Sequence, residues 1–201
     1  RLVNLLEDNS EEKSGAAVFA LVQLAPPGIG DTLRGRLDDA DPTGRLRMGL
    51  VLYELEEEGG RETLRDIIRS VPTLATEAAL PLAADGNFEA MNHLRDRLDR
   101  RVDPELPAIN RRVRVASALV RGGDPSAMSS IQQYLRDSNP GVVQIASLGA
   151  IAVGEPNLLP VLQATIESAT PQNSLSGCLT AIAIADPELR ERMLQYSSVL
   201  L

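Results

Sequence analysis

The sequence predicts an all-α fold, an α-solenoid of short two-helix repeats that runs as one domain over residues 1–201. Three observations predict it. Breaks bearing glycine or proline recur at a spacing of about thirty residues, and apolar residues between the breaks follow the helical period. No stretch sustains the strict alternation of a half-buried strand, and Ala and Leu outnumber β-branched and aromatic residues.

The breaks divide the chain into about six units and the first helix of a seventh. Six breaks are visible: Ala25-Pro26-Pro27-Gly28, Glu58-Gly59-Gly60, Ala84-Asp85-Gly86-Asn87, Gly122-Gly123-Asp124-Pro125, Gly154-Glu155-Pro156 and Ala185-Asp186-Pro187. The units are therefore predicted to begin near residues 2, 32, 61, 88, 125, 157 and 187. Because the chain starts at Arg1 and stops at Leu201 inside an apparent helix, we expect it to be a fragment of a longer protein.

A weaker break divides each unit into two helices. In the second unit, Asp41 can cap a helix through its carboxylate, and Pro42 suits the first helical position. Asn139-Pro140 and Thr170-Pro171 repeat this arrangement, and Asp8 precedes the corresponding apolar run of the first unit. The second helix of a unit is thus predicted to start at an Asp-Pro or Asn-Pro type of turn.

The run from Asp41 to Arg47, followed by Leu50-Val51 and Leu55, resembles the signature of HEAT repeats. In that signature an Asp-Pro turn opens the second helix and a Val-Arg pair lies one turn in. The short period resembles the phycobilin-lyase-like branch of the family. Across the units the motif arginine corresponds to Ser14, Arg47, Arg114, Gln144 and Ser176. The resemblance therefore implies an incomplete ladder of Asp and Arg side chains between repeats.

Composition argues against several classes of function. A net charge of −8 disfavours a nucleic-acid binder, since phosphate neutralisation requires a basic surface. A Ser-His-Asp triad would have to use the lone His93, which is expected to be a solvated helix residue, and no Gly-x-Ser-x-Gly elbow is present. A metal site built from several histidines is excluded, since the chain has one. Cys178 is the only cysteine and is expected to be buried among apolar neighbours. We expect no cofactor, no signal sequence and no membrane span, and the sequence leaves the cellular location open.

The segment from Arg95 to Arg114 is rich in arginine within an acidic chain. One interpretation is a solvated helix face with ion pairs such as Arg95 with Asp99; the other is a site for an acidic partner. The resemblance to HEAT repeats implies that the second helices line a concave face. The expected partner-binding residues on that face are Arg45, Arg47, Arg111, Arg112, Arg114 and Gln144.

These expectations favour a non-catalytic scaffold that binds a protein partner on the concave face of its second helices. Two alternatives stay open. The short repeat implies a phycobilin-lyase-like protein that holds a linear tetrapyrrole, although the chain has two Phe, three Tyr and no Trp to contact it. The segment could also be a structural spacer within a larger chain.

Overall fold

The computed structural model describes residues 1–99, 106–167 and 171–190. Over these ranges all regular structure is helical and no strand occurs, which confirms the all-α prediction. No helix in the described ranges is long and apolar enough to cross a membrane. The chain divides into two compact units, Arg1–Leu82 and Ala83–Leu201, and each is described by itself.

The first unit is a set of short helices around a shared apolar core. Helix α2 packs against α1 and α4, and α4 packs against α3 and α5. The core includes Leu6, Leu21, Leu33, Met48 and Leu52, all 2% exposed or less. The helices of this unit are α1 (Leu2–Leu5), α2 (Glu11–Leu24), α3 (Ile29–Arg34), α4 (Pro42–Glu54), α5 (Gly60–Ser70) and α6 (Ala75–Ala84). Helix α6 begins in the first unit, and its last two residues belong to the second.

Polar side chains mark the starts of the two longest helices of the first unit. Asp41 caps α4 by accepting a hydrogen bond of 2.6 Å from the backbone N–H of Gly44, and Pro42 stands at the first helical position. The predicted start is therefore confirmed. At α2 the cap is Ser10, whose own N–H donates to Asp8 at 2.8 Å, so Asp8 supports the cap from two residues upstream.

The helices of the second unit form two sets. The first set is α7 (Phe88–Leu98), α9 (Met128–Leu135) and α11 (Leu159–Ile166), the last two preceded by 3-10 turns at Pro125–Ala127 and Pro156–Leu158. The second set is α8 (Leu106–Arg121), α10 (Pro140–Val153) and α12 (Pro171–Ala185). Helix α10 packs against both α8 and α12, and α11 packs against α9 and α12. Successive second helices are thus direct neighbours.

Hydrogen bonds join residues about one repeat apart. Ser117 on α8 donates through its hydroxyl to the carbonyl of Gly149 on α10, 32 residues later, at 3.3 Å. Thr165 on α11 donates to the carbonyl of Leu135, 30 residues earlier, at 2.9 Å. Both residues are buried, and each hydroxyl also donates to a carbonyl of its own helix, that of Val113 at 2.8 Å for Ser117 and that of Val161 at 3.2 Å for Thr165. Each hydroxyl proton is therefore shared between its own helix and the neighbouring segment. The spacing of the contacts matches the period of the sequence.

Glycines with positive φ stand next to helix ends where the sequence predicts breaks. Gly154, with φ 68°, caps the carboxyl end of α10, and its N–H donates to the carbonyl of Ala150. Gly59, with φ 87°, precedes α5. Only glycine adopts this left-handed conformation without a steric penalty from Cβ, so these residues fix where the chain reverses.

Candidate protein-interaction surface

The six residues predicted to bind a partner lie in both units. Arg45 and Arg47 are on α4 in the first unit. The second unit contains the other four, namely Arg111, Arg112, Arg114 and Gln144. Each group is therefore considered within its own unit.

Arg47 is held by the backbone of its own unit. Its Nη1 donates to the carbonyl of Leu6 at 2.8 Å and to the carbonyl of Asp8 at 2.9 Å. These two carbonyls lie between α1 and α2, so one guanidinium joins three helices of the unit. Because hydrogen bonds from a charged donor are among the stronger ones, this residue contributes to folding of the first unit.

Arg45, two residues before Arg47, points elsewhere because positions i and i+2 do not share a helix face. The side chain is half-buried, and its Nε is buried without a hydrogen-bond partner in the described part of the chain. Of the two α4 arginines, Arg47 is therefore bound to acceptors of its own unit, whereas the Nε of Arg45 has none among the described residues.

The three arginines of α8 differ in exposure. Arg112 is half-buried and donates through Nη1 to the carbonyl of Leu98, which ties α8 to the end of α7. Arg114 is half-buried and also interacts within the chain. Arg111 is exposed, and no hydrogen bond or ion pair to it occurs among the residues that the structure describes. Arg111 therefore offers the most accessible guanidinium of the three.

Gln144 is exposed on α10, the helix that packs directly against α8. Helix α10 contains no charged residue over Pro140–Val153, and α12 contains none over Pro171–Ala185. The surface of the second unit thus changes from basic on α8 to uncharged on α10 and α12. The exposed amide on α10 and the exposed guanidinium on the neighbouring α8 supply both donors and an acceptor for a peptide backbone or a carboxylate.

Within each compact unit, ion pairs join residues about one sequence period apart, and their arginines lie outside the HEAT-like motif. Arg36 binds Glu7 at 2.9 Å, 29 residues earlier. Arg95 binds Asp124 at 2.6 Å, so the intrahelical pair of Arg95 with Asp99 expected from the sequence is replaced by a longer-range one. The spacing of the HEAT-like motif does not predict these two ion pairs. Their only trace in the sequence is opposite charge about one repeat apart.

Arg34, at the end of α3, is the centre of a further charged cluster. Its guanidinium donates to Asp31 at 2.6 Å and to Glu57 at 3.1 Å, and these hydrogen bonds raise the pKa of Arg34 above its ordinary value. Glu57 belongs to an acidic run of Glu54, Glu56, Glu57 and Glu58 that begins at the last residue of α4. Part of that run is therefore bound to α3 within the fold.

Two other sequence expectations need correction. His93 is half-buried rather than solvated, and Cys178 is half-buried rather than enclosed in the core. No group of three His, Cys, Asp or Glu residues is placed to hold a metal ion within the described ranges. Residues 100–105 of the arginine-rich segment lie outside the residues that the structure describes.

No known family model matches the chain, and no curated protein sequence matches it. The contacts and the exposed side chains of the chain itself are therefore the basis for a functional proposal.

Proposed function

We propose that this chain is an α-solenoid of HEAT type that binds a protein partner on the exposed face of its second helices and catalyses no reaction. The support comes from the second unit, where α10 packs against both α8 and α12. In a stack of two-helix repeats each unit contacts its neighbours, and the second helices form one continuous face. The pairing of α9 with α11 gives the opposite layer.

Hydrogen bonds between residues about one repeat apart in the second unit support the same arrangement. The links from Ser117 to Gly149, from Thr165 to Leu135 and from Arg95 to Asp124 span 32, 30 and 29 residues. Those from Asn173 to Asp137 and from Arg190 to Gly154 each span 36 residues. A closed bundle has no reason to keep similar sequence separations between contacting residues. A linear stack of similar units requires it, because each unit repeats the contacts of the one before.

The partner suited to this face carries a carboxylate or a backbone carbonyl toward α8. Arg111 presents a planar fork that binds a carboxylate through two parallel hydrogen bonds. Gln144 on the adjacent helix is also exposed and supplies an amide. A few such anchors carry most of the free energy in protein interfaces, with arginine prominent among them. An acidic, extended or helical segment of another protein fits this chemistry.

The observation that carries the proposal is the exposure of Arg111 and Gln144 on the neighbouring helices α8 and α10. A photoreactive amino acid placed at position 144 tests it in the cells that make the protein. Gln133 is exposed on α9, in the opposite layer, and serves as the matched control position. We expect covalent partner adducts from position 144 and few from position 133.

A charge reversal completes the test. Arg111→Glu is expected to lower the adduct yield from position 144 about tenfold, since a lost charged anchor costs more than about 1 kcal/mol. Arg121→Glu, at an exposed arginine in the last turn of the same helix, controls for net charge and should leave the yield unchanged. Equal yields from positions 144 and 133, or an undiminished yield in Arg111→Glu, would remove the face of α8 and α10 from the proposal.

A further inference from the structure

Tyr134 on α9 reaches from the first set of helices in the second unit into the second set. Its side chain packs against a cluster formed by Ile109 and Val113 of α8 and Val142 of α10. These three residues are buried, so apolar contacts from two neighbouring helices hold the tyrosine ring in place. The residue as a whole is half-buried, which leaves part of it in contact with solvent.

The accessible part of Tyr134 includes its hydroxyl. No hydrogen bond to this hydroxyl occurs among the residues that the structure describes, and its oxygen is not one of their buried polar atoms without a partner. A polar tip in solvent above an apolar ring in the core is the usual arrangement of a half-buried tyrosine. Tyr53 differs, because its hydroxyl donates to the carbonyl of Pro81 at 3.4 Å within the first unit.

The ring of Tyr134 lies at the level of α8 and α10 where the proposed partner-binding residues are. On α8, its neighbour Ile109 precedes Arg111 by two residues. On α10, its neighbour Val142 precedes Gln144 by two residues. A step of two residues is about 3 Å along a helix axis, so the contacts of the ring and the two exposed polar side chains come from the same turns.

We propose that Tyr134 is a third anchor for the protein partner, and that its hydroxyl donates a hydrogen bond to a carboxylate or backbone carbonyl oxygen of the segment that Arg111 binds. The inference rests on the proposed function, since it concerns the same surface. A phenol both donates and accepts, so it also pairs with a backbone N–H of that segment. Because packing already fixes the ring, binding costs little side-chain entropy, and tyrosine is common among the strongest anchors of protein interfaces.

The packing role of the ring and the binding role of the hydroxyl are separable by one substitution. Tyr134→Phe keeps the ring that contacts Ile109, Val113 and Val142, and it removes only an oxygen that has no partner among the described residues. The urea midpoint of this variant is therefore expected to equal that of the wild type. A loss of binding at unchanged stability is then the loss of a contact to the partner.

Photocrosslinking from position 144 of the whole chain measures the contribution of the hydroxyl. We expect Tyr134→Phe to lower the adduct yield about three- to tenfold, which is the effect of one hydrogen bond on an equilibrium constant. Tyr53→Phe, in the first unit, is the matched control and should leave the yield unchanged. An undiminished yield in Tyr134→Phe, or an equal reduction in Tyr53→Phe, overturns the inference; the proposed function still stands if Arg111→Glu lowers the yield.

Nitration of the unmodified chain by tetranitromethane tests the accessibility of Tyr134 without a partner or a variant. The reagent modifies phenol rings that it reaches from solvent, and mass spectrometry of the digested chain locates the product. We expect Tyr134 to be nitrated in the folded chain. A Tyr134 that is protected in the folded chain and reacts only in urea overturns the inference, and this result leaves the proposed roles of Arg111 and Gln144 unaffected.

Discussion

Arg95 on α7 and Asp124, 29 residues later, form a hydrogen-bonded ion pair in which Nε lies 2.6 Å from Oδ2. The other carboxylate oxygen of Asp124 accepts from the N–H of Ser126 at 3.1 Å and from its hydroxyl at 2.6 Å. The hydrogen bonds from Ser126 and then from Arg95 lower the pKa of Asp124 below its usual value, against the effect of burial. One carboxylate thus shapes the turn before α9 and joins that turn to α7.

Replacing Asp124 should destabilise the second unit more than replacing Arg95. The side chain of Asp124 is 10% exposed, whereas that of Arg95 is 41% exposed, so solvent screens the ion pair and the local hydrogen bonds dominate. We expect Asp124→Ala to cost about 2 kcal/mol and Arg95→Ala less than about 1 kcal/mol in urea denaturation. Asp96→Ala, at an exposed residue on α7, is the matched control. Equal losses for the two partners would contradict this account.

The same carboxylate predicts how stability depends on pH. Because the pKa of Asp124 is lower in the folded state than its unfolded value of about 3.9, its contribution is complete above that value and is lost as the pH falls through the folded pKa. The stability difference between wild type and Asp124→Asn should stay constant from neutral pH to about pH 5 and shrink below about pH 4. A difference that grew on acidification would have the wrong sign. Urea titrations at several pH values measure it.

Replacing Arg47 should lower the stability of the first unit more than replacing Arg45, although the two residues are two positions apart. Arg47→Ala removes the hydrogen bonds to the carbonyls of Leu6 and Asp8, and we expect a loss of about 2 kcal/mol from the first unit. Arg45→Ala removes a side chain whose Nε is unpaired in the described residues, and we expect a loss below about 0.5 kcal/mol. Thermal denaturation of both variants measures the difference. An equal loss in the two would show that Arg47 does not join α4 to the α1–α2 segment.

Glycine-to-alanine substitutions at positions 149 and 15 should change the stability of the chain in opposite directions. A methyl group at Gly149 would collide with the side chain of Val113 and lie 2.9 Å from the hydroxyl of Ser117, both on α8. Gly149→Ala should therefore cost about 2 kcal/mol through overpacking of α8 against α10. At Gly15, on α2, no atom lies within 4 Å of the added Cβ, so Gly15→Ala should stabilise by about 0.5 to 1 kcal/mol through helix propensity. A tolerated Gly149→Ala would mean that α8 and α10 are not in close contact.

The helices and their starts were predictable because local chemistry determines them. Asp41 and Pro42 mark the start of α4 through a side-chain cap and a fixed φ, and neither depends on the rest of the chain. Gly59 and Gly154 adopt the left-handed conformation where the sequence places breaks. These signals lie within a few residues of the feature that they specify.

The roles of individual arginines were not predictable, since they depend on which carbonyl or carboxylate the fold brings near. Arg47 and Arg112 match the expected partner-binding pattern in sequence, yet both donate to backbone carbonyls of the chain. The exposure of Leu175, Leu179 and Ile182 on α12 was also missed, because an apolar period of three and four residues is the same in a buried helix and in an exposed one. Exposure is a property of the neighbouring helices and not of the pattern itself.

The central claim is that successive second helices lie in a row, and distances among three spin labels test it most directly. Pulsed and continuous-wave EPR would use labels in pairs at the exposed positions Arg111, Gln144 and Gln172 on α8, α10 and α12, with Cys178→Ser as background. Neighbouring packed helices are about 10 Å apart, so the row predicts similar short separations between 111 and 144 and between 144 and 172, and roughly twice that separation between 111 and 172. Three similar distances would mean that the helices close into a bundle, and the proposed binding face would not exist.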